Sequence, residues 1–420
     1  MSMDDLDPMK VQLARQVTHW SIAVAELSDV SRLASPTGWR SLERYLGVAI
    51  EGTLRQAVNR LAREAHVLEA ELSAADTAAQ LDRLRSDLLA FRGRFLAVEA
   101  VLDFYGDAVN TRTQERLGAY LRACDTLATQ AMAAVLTPLG RRPPPVLTYL
   151  DKGLGASVLK AGLRLWDGRA VSPVAAIKIV RHNLLRPTSL LHEAGHQVAH
   201  DIGWNDELAR GLRALLSPHG AALADMWASW ASEIAADVFA FAHTGYAALA
   251  ALHDVLAGDP DWVLRHVPGD PHPIGYLRIL LGRAMCMRFF GAGPWDDLAH
   301  AWVRMYPPGE AGEDGVDVVR RSTDLLPDIV EHLLFSPLRC MGGRSVREVI
   351  DPARVKPEAL AELERIAGAS LFVSPHWIAR ECLRLVALSG LRAAVPGDVP
   401  DALRRQEQWM LRLGGIVAAA

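Results

Sequence analysis

The chain has 420 residues, half of them apolar and 22% charged, with 45 Lys+Arg against 49 Asp+Glu and a net charge of −4. A chain of this length exceeds what one hydrophobic core takes in, so two or three domains are expected, and the composition excludes a disordered or collagenous protein. No basic excess points to nucleic acid, no apolar run approaches the roughly 18 residues of a membrane span, and the acidic start MSMDDLDPMK has no secretory apolar core. Cys124, Cys286, Cys340 and Cys382 lie far apart with no CxxC pair. They are expected to be reduced thiols in a cytoplasmic protein.

Residues 1–140 read as helix. Leu54, Val58, Leu61, Ala65, Leu68 and Leu72 recur at steps of four and three, as one buried helix face requires. The pattern breaks over 73–76, where N-cap residue types occur, and resumes as Leu81, Leu84, Leu88, Phe91, Phe95, Val98 and Leu102. This predicts two long helices in a hairpin, in a bundle that packs on itself. The segment 141–145, Arg-Arg-Pro-Pro-Pro, ends the helical region because consecutive prolines cannot continue a helix. Three short runs rich in Val, Ile, Leu and Tyr follow, at 146–150, 162–166 and 174–180, and are expected to form a small sheet. From Pro187 the pattern is helical again, with breaks at 268–273, 291–294 and 307–315. The expected fold class is α-rich α+β, with domains over 1–140, 141–310 and 311–420.

The segment that carries chemistry is His192-Glu193-Ala194-Gly195-His196, an HExxH motif. On a helix, residues i and i+4 share a face, so His192 and His196 can offer two imidazole nitrogens to one ion, with Glu193 beside them, able to reach a metal-bound water. Two neutral imidazoles and an open position suit Zn²⁺. The apolar Leu190, Leu191, Ala194 and Val198 are expected to pack this helix into a core. A zinc site needs a third protein ligand. His200 continues the series, but a helix drifts by about 40° over four residues, so a third such histidine diverges from the ion. The metzincin spacing asks for Gly and His where this chain has Ala199 and Ile202. Glu233 is the better candidate, 37 residues after His196. Asp237, one turn later on the same face, can accept the outer N–H of a ligand histidine.

HExxH followed by ExxxD on a second helix resembles the gluzincin, or thermolysin-like, metallopeptidases, over residues 145–290. The resemblance implies His192, His196 and Glu233 as zinc ligands, Glu193 as general base and Asp237 as the partner of a ligand histidine. It also implies an edge strand before the active-site helix that pairs with extended substrate, and 174–180 stands at that place. The stretch Asp270-Pro271-His272-Pro273-Ile274-Gly275-Tyr276-Leu277-Arg278 looks like an HP…R segment of bacterial zincins. His272, Tyr276 and Arg278 are therefore candidate donors to a tetrahedral oxyanion, and Arg278 equally suits a structural ion pair. Trp227 and Trp230 read as core, and Asp206 and Glu207 as the start of a connecting helix.

The expected function is zinc-dependent hydrolysis of a protein or peptide substrate by a compact intracellular enzyme. Neither nucleic acid nor membrane is an expected partner, and the helical flanks leave self-association open. Two other readings stand beside it: a catalytically silent zincin fold that serves as a binding or regulatory module, and a helical scaffold in which HExxH is accidental.

Overall fold

A computed structural model describes residues 3–419 except 154, 185, 311, 312, 395 and 396. It is mostly helical with one three-stranded sheet, an α-rich α+β protein. No helix among the described residues is long and apolar enough to cross a membrane.

The chain divides into two compact units. The first comprises Met1–Gly118 with Leu159–Val174. Its centre is the expected hairpin, Arg44–Ala74 followed by Ala78–Asn110, with the Met3–Glu26 helix packed on both. Leu54, Val58, Leu61, Ala65 and Leu68 on one helix, and Leu81, Leu84, Leu88, Phe91, Phe95, Val98 and Leu102 on the other, are buried. The second helix is capped by Thr77, not by a residue of 73–76. The Thr77 hydroxyl accepts the Gln80 N–H while the Gln80 side chain accepts the Thr77 N–H, a reciprocal pair that satisfies two otherwise unbonded donors. Ser73 instead lies inside the first helix and donates to the Glu69 carbonyl.

The second unit comprises Ala119–Val158 with Ala175–Ala420. Residues 119–140, expected in the first domain, therefore belong to the second, and the proline run at 141–145 is a connection inside it. Strand β1 (Val146–Leu150) pairs in parallel with β3 (Ala175–Ile179), with Val146 opposite Ala175 and Leu150 opposite Ile179. The remaining strand is β2 (Ser157–Leu159), and the order is β1-β3-β2. Two expectations fail here. Residues 162–166 form no strand, because Gly162 and Gly168 adopt left-handed φ angles of 81° and 68° that bend the chain, leaving one bridge between Arg164 and Val171. And 174–180 is the central strand, not an edge, with a neighbour on each side. Thr148 of β1 also donates its N–H to Asp125 at 2.7 Å, so that edge is partly capped by a side chain.

After β3 a short 3₁₀ turn, Arg181–Leu184, leads into the helix Thr188–Ile202, which packs against β3. Gly203, with φ of 75°, closes that helix in the left-handed conformation that glycine adopts without cost. Two helices, Trp204–Leu216 and Ala221–Ser229, then lead to Ala231–Thr244. Asp206 and Glu207 occupy the first turn of the connecting helix as expected. The Glu207 carboxylate also accepts the N–H groups of Arg339 and Cys340. Trp227 and Trp230 are core residues, and the Trp227 indole donates to Ser322 at 3.0 Å. The break expected at 307–315 includes residues 311 and 312, which lie outside the described residues; a helix begins at Glu313.

Candidate metal centre

The site is built on two helices whose backbones meet at a seam of small residues. Leu190, Leu191, Ala194 and Val198 are fully buried and anchor Thr188–Ile202 in the core. Gly195 lies against Ala231–Thr244. A Cβ there would stand 2.9 Å from the Ala236 Cα and 3.0 Å from the Phe239 Cβ. Any side chain at 195 would push the helices apart, so the middle residue of the motif sets how near its histidines come to the second helix.

Across this seam, His192 Nε2 lies 3.3 Å from Glu233 Oε2, and His196 Nε2 lies 3.2 Å from Glu233 Oε1. One ligand-type atom from each of the three residues falls within 4.8 Å of the others. Each imidazole is held by its other nitrogen. His192 Nδ1 is 2.9 Å from Asp237 Oδ1, and His196 Nδ1 is 3.2 Å from Ser232 Oγ. His200 is exposed on the same helix, with no hydrogen bond or ion pair to the cluster among the described residues.

The donor set fits zinc. Tetrahedral coordination with bonds of roughly 2.0–2.1 Å separates neighbouring donor atoms by about 3.3 Å; each imidazole keeps that distance from one of the two Glu233 oxygens, with the three ligand atoms within 4.8 Å of one another. The two Nδ1 partners leave both Nε2 atoms directed to the same carboxylate, the second-layer arrangement that metal-binding histidines use.

The two glutamates sit in contrasting fields. Glu193 is buried, and burial raises its pKa against the pull of His192, His196 and Arg278. Glu233 is also buried, but hydrogen bonds from His192 and His196 and the charge of Arg278 outweigh burial and hold it well below the usual carboxylate range. The site thus holds two buried carboxylates whose pKa values are driven in opposite directions. For His192, burial disfavours the charged ring, yet the hydrogen bonds to Asp237 and Glu233 raise it to about 10.

Of the three residues expected to face an oxyanion, the structure separates the fates. Arg278, on the helix Gly275–Phe290, donates Nε and Nη2 to the two oxygens of Asp237, each at 2.8 Å. Its guanidinium fork is therefore committed to the carboxylate that holds His192, with Nη2 also 3.5 Å from Glu233 Oε2. Tyr276, two residues earlier and about 200° around the helix, is buried with no hydrogen bond or ion pair to the site among the described residues. His272 remains exposed, with Nε2 3.8 Å from Glu233 Oε1.

Two residues beyond the sequence candidates, Asp270 and Ser232, hold site histidines. Asp270 Oδ1 accepts the backbone N–H of His272 at 2.9 Å and holds its Nδ1 at 2.8 Å. An Asp two residues before a His is the local pattern of an Asx turn, and that signal was present in the sequence. Ser232 carries no comparable signal, since its role follows only from the crossing of the helices.

A cavity of about 210 Å³ adjoins the cluster. His192, Glu193, Asp237 and Arg278 form its polar end, while Phe241, Leu249, Leu252, Leu281 and Met285 line its apolar part. Gly155 and Ala156, directly before β2, also line it. Comparison with protein-family models, with curated proteins and with solved structures finds no match to this chain.

Proposed function

We propose that the protein is a zinc-dependent peptide hydrolase of the zincin type, with His192, His196 and Glu233 as the metal ligands. The observation that carries this reading is the convergence of two oriented imidazoles and one ionised carboxylate, at zinc-compatible spacing, beside a second carboxylate that burial disposes to hold a proton. Bound there, zinc supplies a Lewis acid that polarises a carbonyl and brings the pKa of water near 7.

The residues of the chain do the rest. Glu193 accepts a proton from water and passes it to the leaving amine, a task suited to a carboxyl whose pKa burial raises. Asp237 fixes the His192 tautomer, and Arg278 fixes Asp237. Arg278 is thus a positioning residue. His272, with Asp270 on one ring nitrogen, presents the other next to Glu233, where an oxyanion would develop. An extended peptide would lie along the open edge at Ser157 and Val158, not along the central β3, with an apolar side chain in the Leu249, Leu281 and Met285 part of the cavity.

The test is Glu193→Gln in the full chain, assayed on a peptide library with zinc content measured in parallel. The variant should retain zinc and fold while losing about 10²–10⁴-fold in hydrolysis. Equal cleavage by wild type and variant would remove Glu193 from the reaction. Zinc-loaded wild type that cleaves no library member would favour the binding-module reading instead.

A further inference from the structure

A second cavity, of about 170 Å³, borders the helix Ala231–Thr244 beyond Asp237, at Ala242 and His243. Its other walls include Gln130, Arg354, Arg380, Glu381 and Arg384, so three arginines converge on one hollow. Their commitments differ. Arg384 is fully engaged, donating Nε to the Arg354 carbonyl at 3.0 Å, Nη2 to the Ala359 carbonyl at 2.7 Å and Nη1 to Glu381 Oε2 at 3.3 Å. Arg380 Nε shares the same Glu381 at 3.3 Å, while the Arg380 side chain is 65% exposed. The Arg354 guanidinium has no hydrogen bond or ion pair among the described residues. Asp351, the other acid at the cavity, turns its carboxylate to the Ala353 N–H of its own turn.

His243 is also buried at this wall, 6% exposed. One ring nitrogen bonds the Ala131 carbonyl, and Nε2 has no hydrogen-bond partner. Burial, reinforced by the charge of Arg354, keeps this imidazole neutral, with its pKa pushed down to about 3. The cavity therefore holds an unpaired guanidinium, a half-committed second one and a buried histidine that cannot share the positive charge. Its only buried carboxylate is already divided between Arg380 and Arg384. A planar fork of donors without an acceptor matches a carboxylate or a phosphate, which it binds through two parallel charge-assisted hydrogen bonds. The volume holds several non-hydrogen atoms, since one water needs only about 10–15 Å³ by the same measure.

We propose that this cavity is a binding site for a small oxyanion, held by the guanidinium groups of Arg354 and Arg380. The site is separate from the metal cluster and does not depend on the hydrolase reading. An anion seated beside Arg354 offsets the charge that helps keep His243 neutral, so the ring registers occupancy without itself being a ligand.

The experiment titrates the full chain with inorganic phosphate and, in a second arm, with propionate. Binding is followed by calorimetry and by the ¹⁵N shifts of the His243 ring. One probe should bind wild type saturably and move the His243 resonances, and the arm that does so identifies phosphate or carboxylate as the natural chemistry. Arg354→Gln, at an exposed position where folding is not at stake, should weaken that binding at least about tenfold. The proposal is overturned if neither probe binds saturably, or if Arg354→Gln binds as wild type does.

Discussion

The hairpin of the first unit and the helix pair Thr188–Ile202 with Ala231–Thr244 are both two-helix packings, yet they bury opposite kinds of side chain. In the hairpin, aliphatic and aromatic residues fill the seam, and the charges stay outside, as in the Arg94–Glu64 pair at 2.6 Å with both side chains a quarter or more exposed. In the second pair, Gly195 brings the backbones together; Glu193, His196, Glu233 and Arg278 are buried, and His192 and Asp237 are largely buried beside them. The hairpin gains its stability in many small increments of apolar area. The His192, His196 and Glu233 cluster depends on a few charges, each tolerable only because another satisfies it. A fold can absorb the second arrangement when the apolar core around it supplies the stability, as Leu190, Leu191, Ala194 and Val198 do here.

That contrast can be broken most forcefully at Arg278. Arg278→Met should leave Asp237 with His192 as its one remaining partner and lower stability to urea by about 3–5 kcal/mol, and it should weaken zinc binding as well. Phe91→Ala in the hairpin should cost a similar amount, about 3–5 kcal/mol, and leave zinc affinity unchanged. If Arg278→Met behaves as a surface substitution, the chain of contacts from Arg278 to Asp237 to His192 is not what organises the site.

A smaller effect is expected at Asp237. Asp237→Asn keeps the size of the side chain but loses the charge that orients His192, and should weaken zinc about 10–100-fold, read from competition with a chelating dye. Affinity equal to wild type would detach Asp237 from the centre. Smallest of all should be the coupling between Glu64 and Arg94. A double-mutant cycle on this partly exposed pair should give less than about 1 kcal/mol, because solvent and salt screen it. A coupling several times larger would erase the distinction between the two regions.

Much of both regions is legible in the sequence, for the same reason. Spacings of three and four residues map directly onto one face of a helix, so the stripe from Leu54 to Leu68 and the pair His192 and His196 need no tertiary information. Glu233 and Asp237 are legible as a candidate pair because their spacing puts them on one face too. What is not legible depends on which segments meet. Strand order is such a case, since nothing local in 174–180 distinguishes a central strand from an edge. Gly162 and Gly168 did carry a local signal against a strand at 162–166. The commitment of Arg278 to Asp237, the Ser232 hydroxyl behind His196 and the arginine-lined cavity all join residues far apart in the chain, and only the folded geometry brings them to one place.

Whether His192, His196 and Glu233 hold a metal is measured most directly by elemental analysis of the purified full chain. Wild type, dialysed against zinc and then freed of loosely bound ion, should retain close to one zinc per chain. The folded double variant His192→Ala/His196→Ala should retain almost none, with its hairpin intact by circular dichroism. Wild type that holds no zinc, or a folded double variant that holds as much as wild type, would contradict the account.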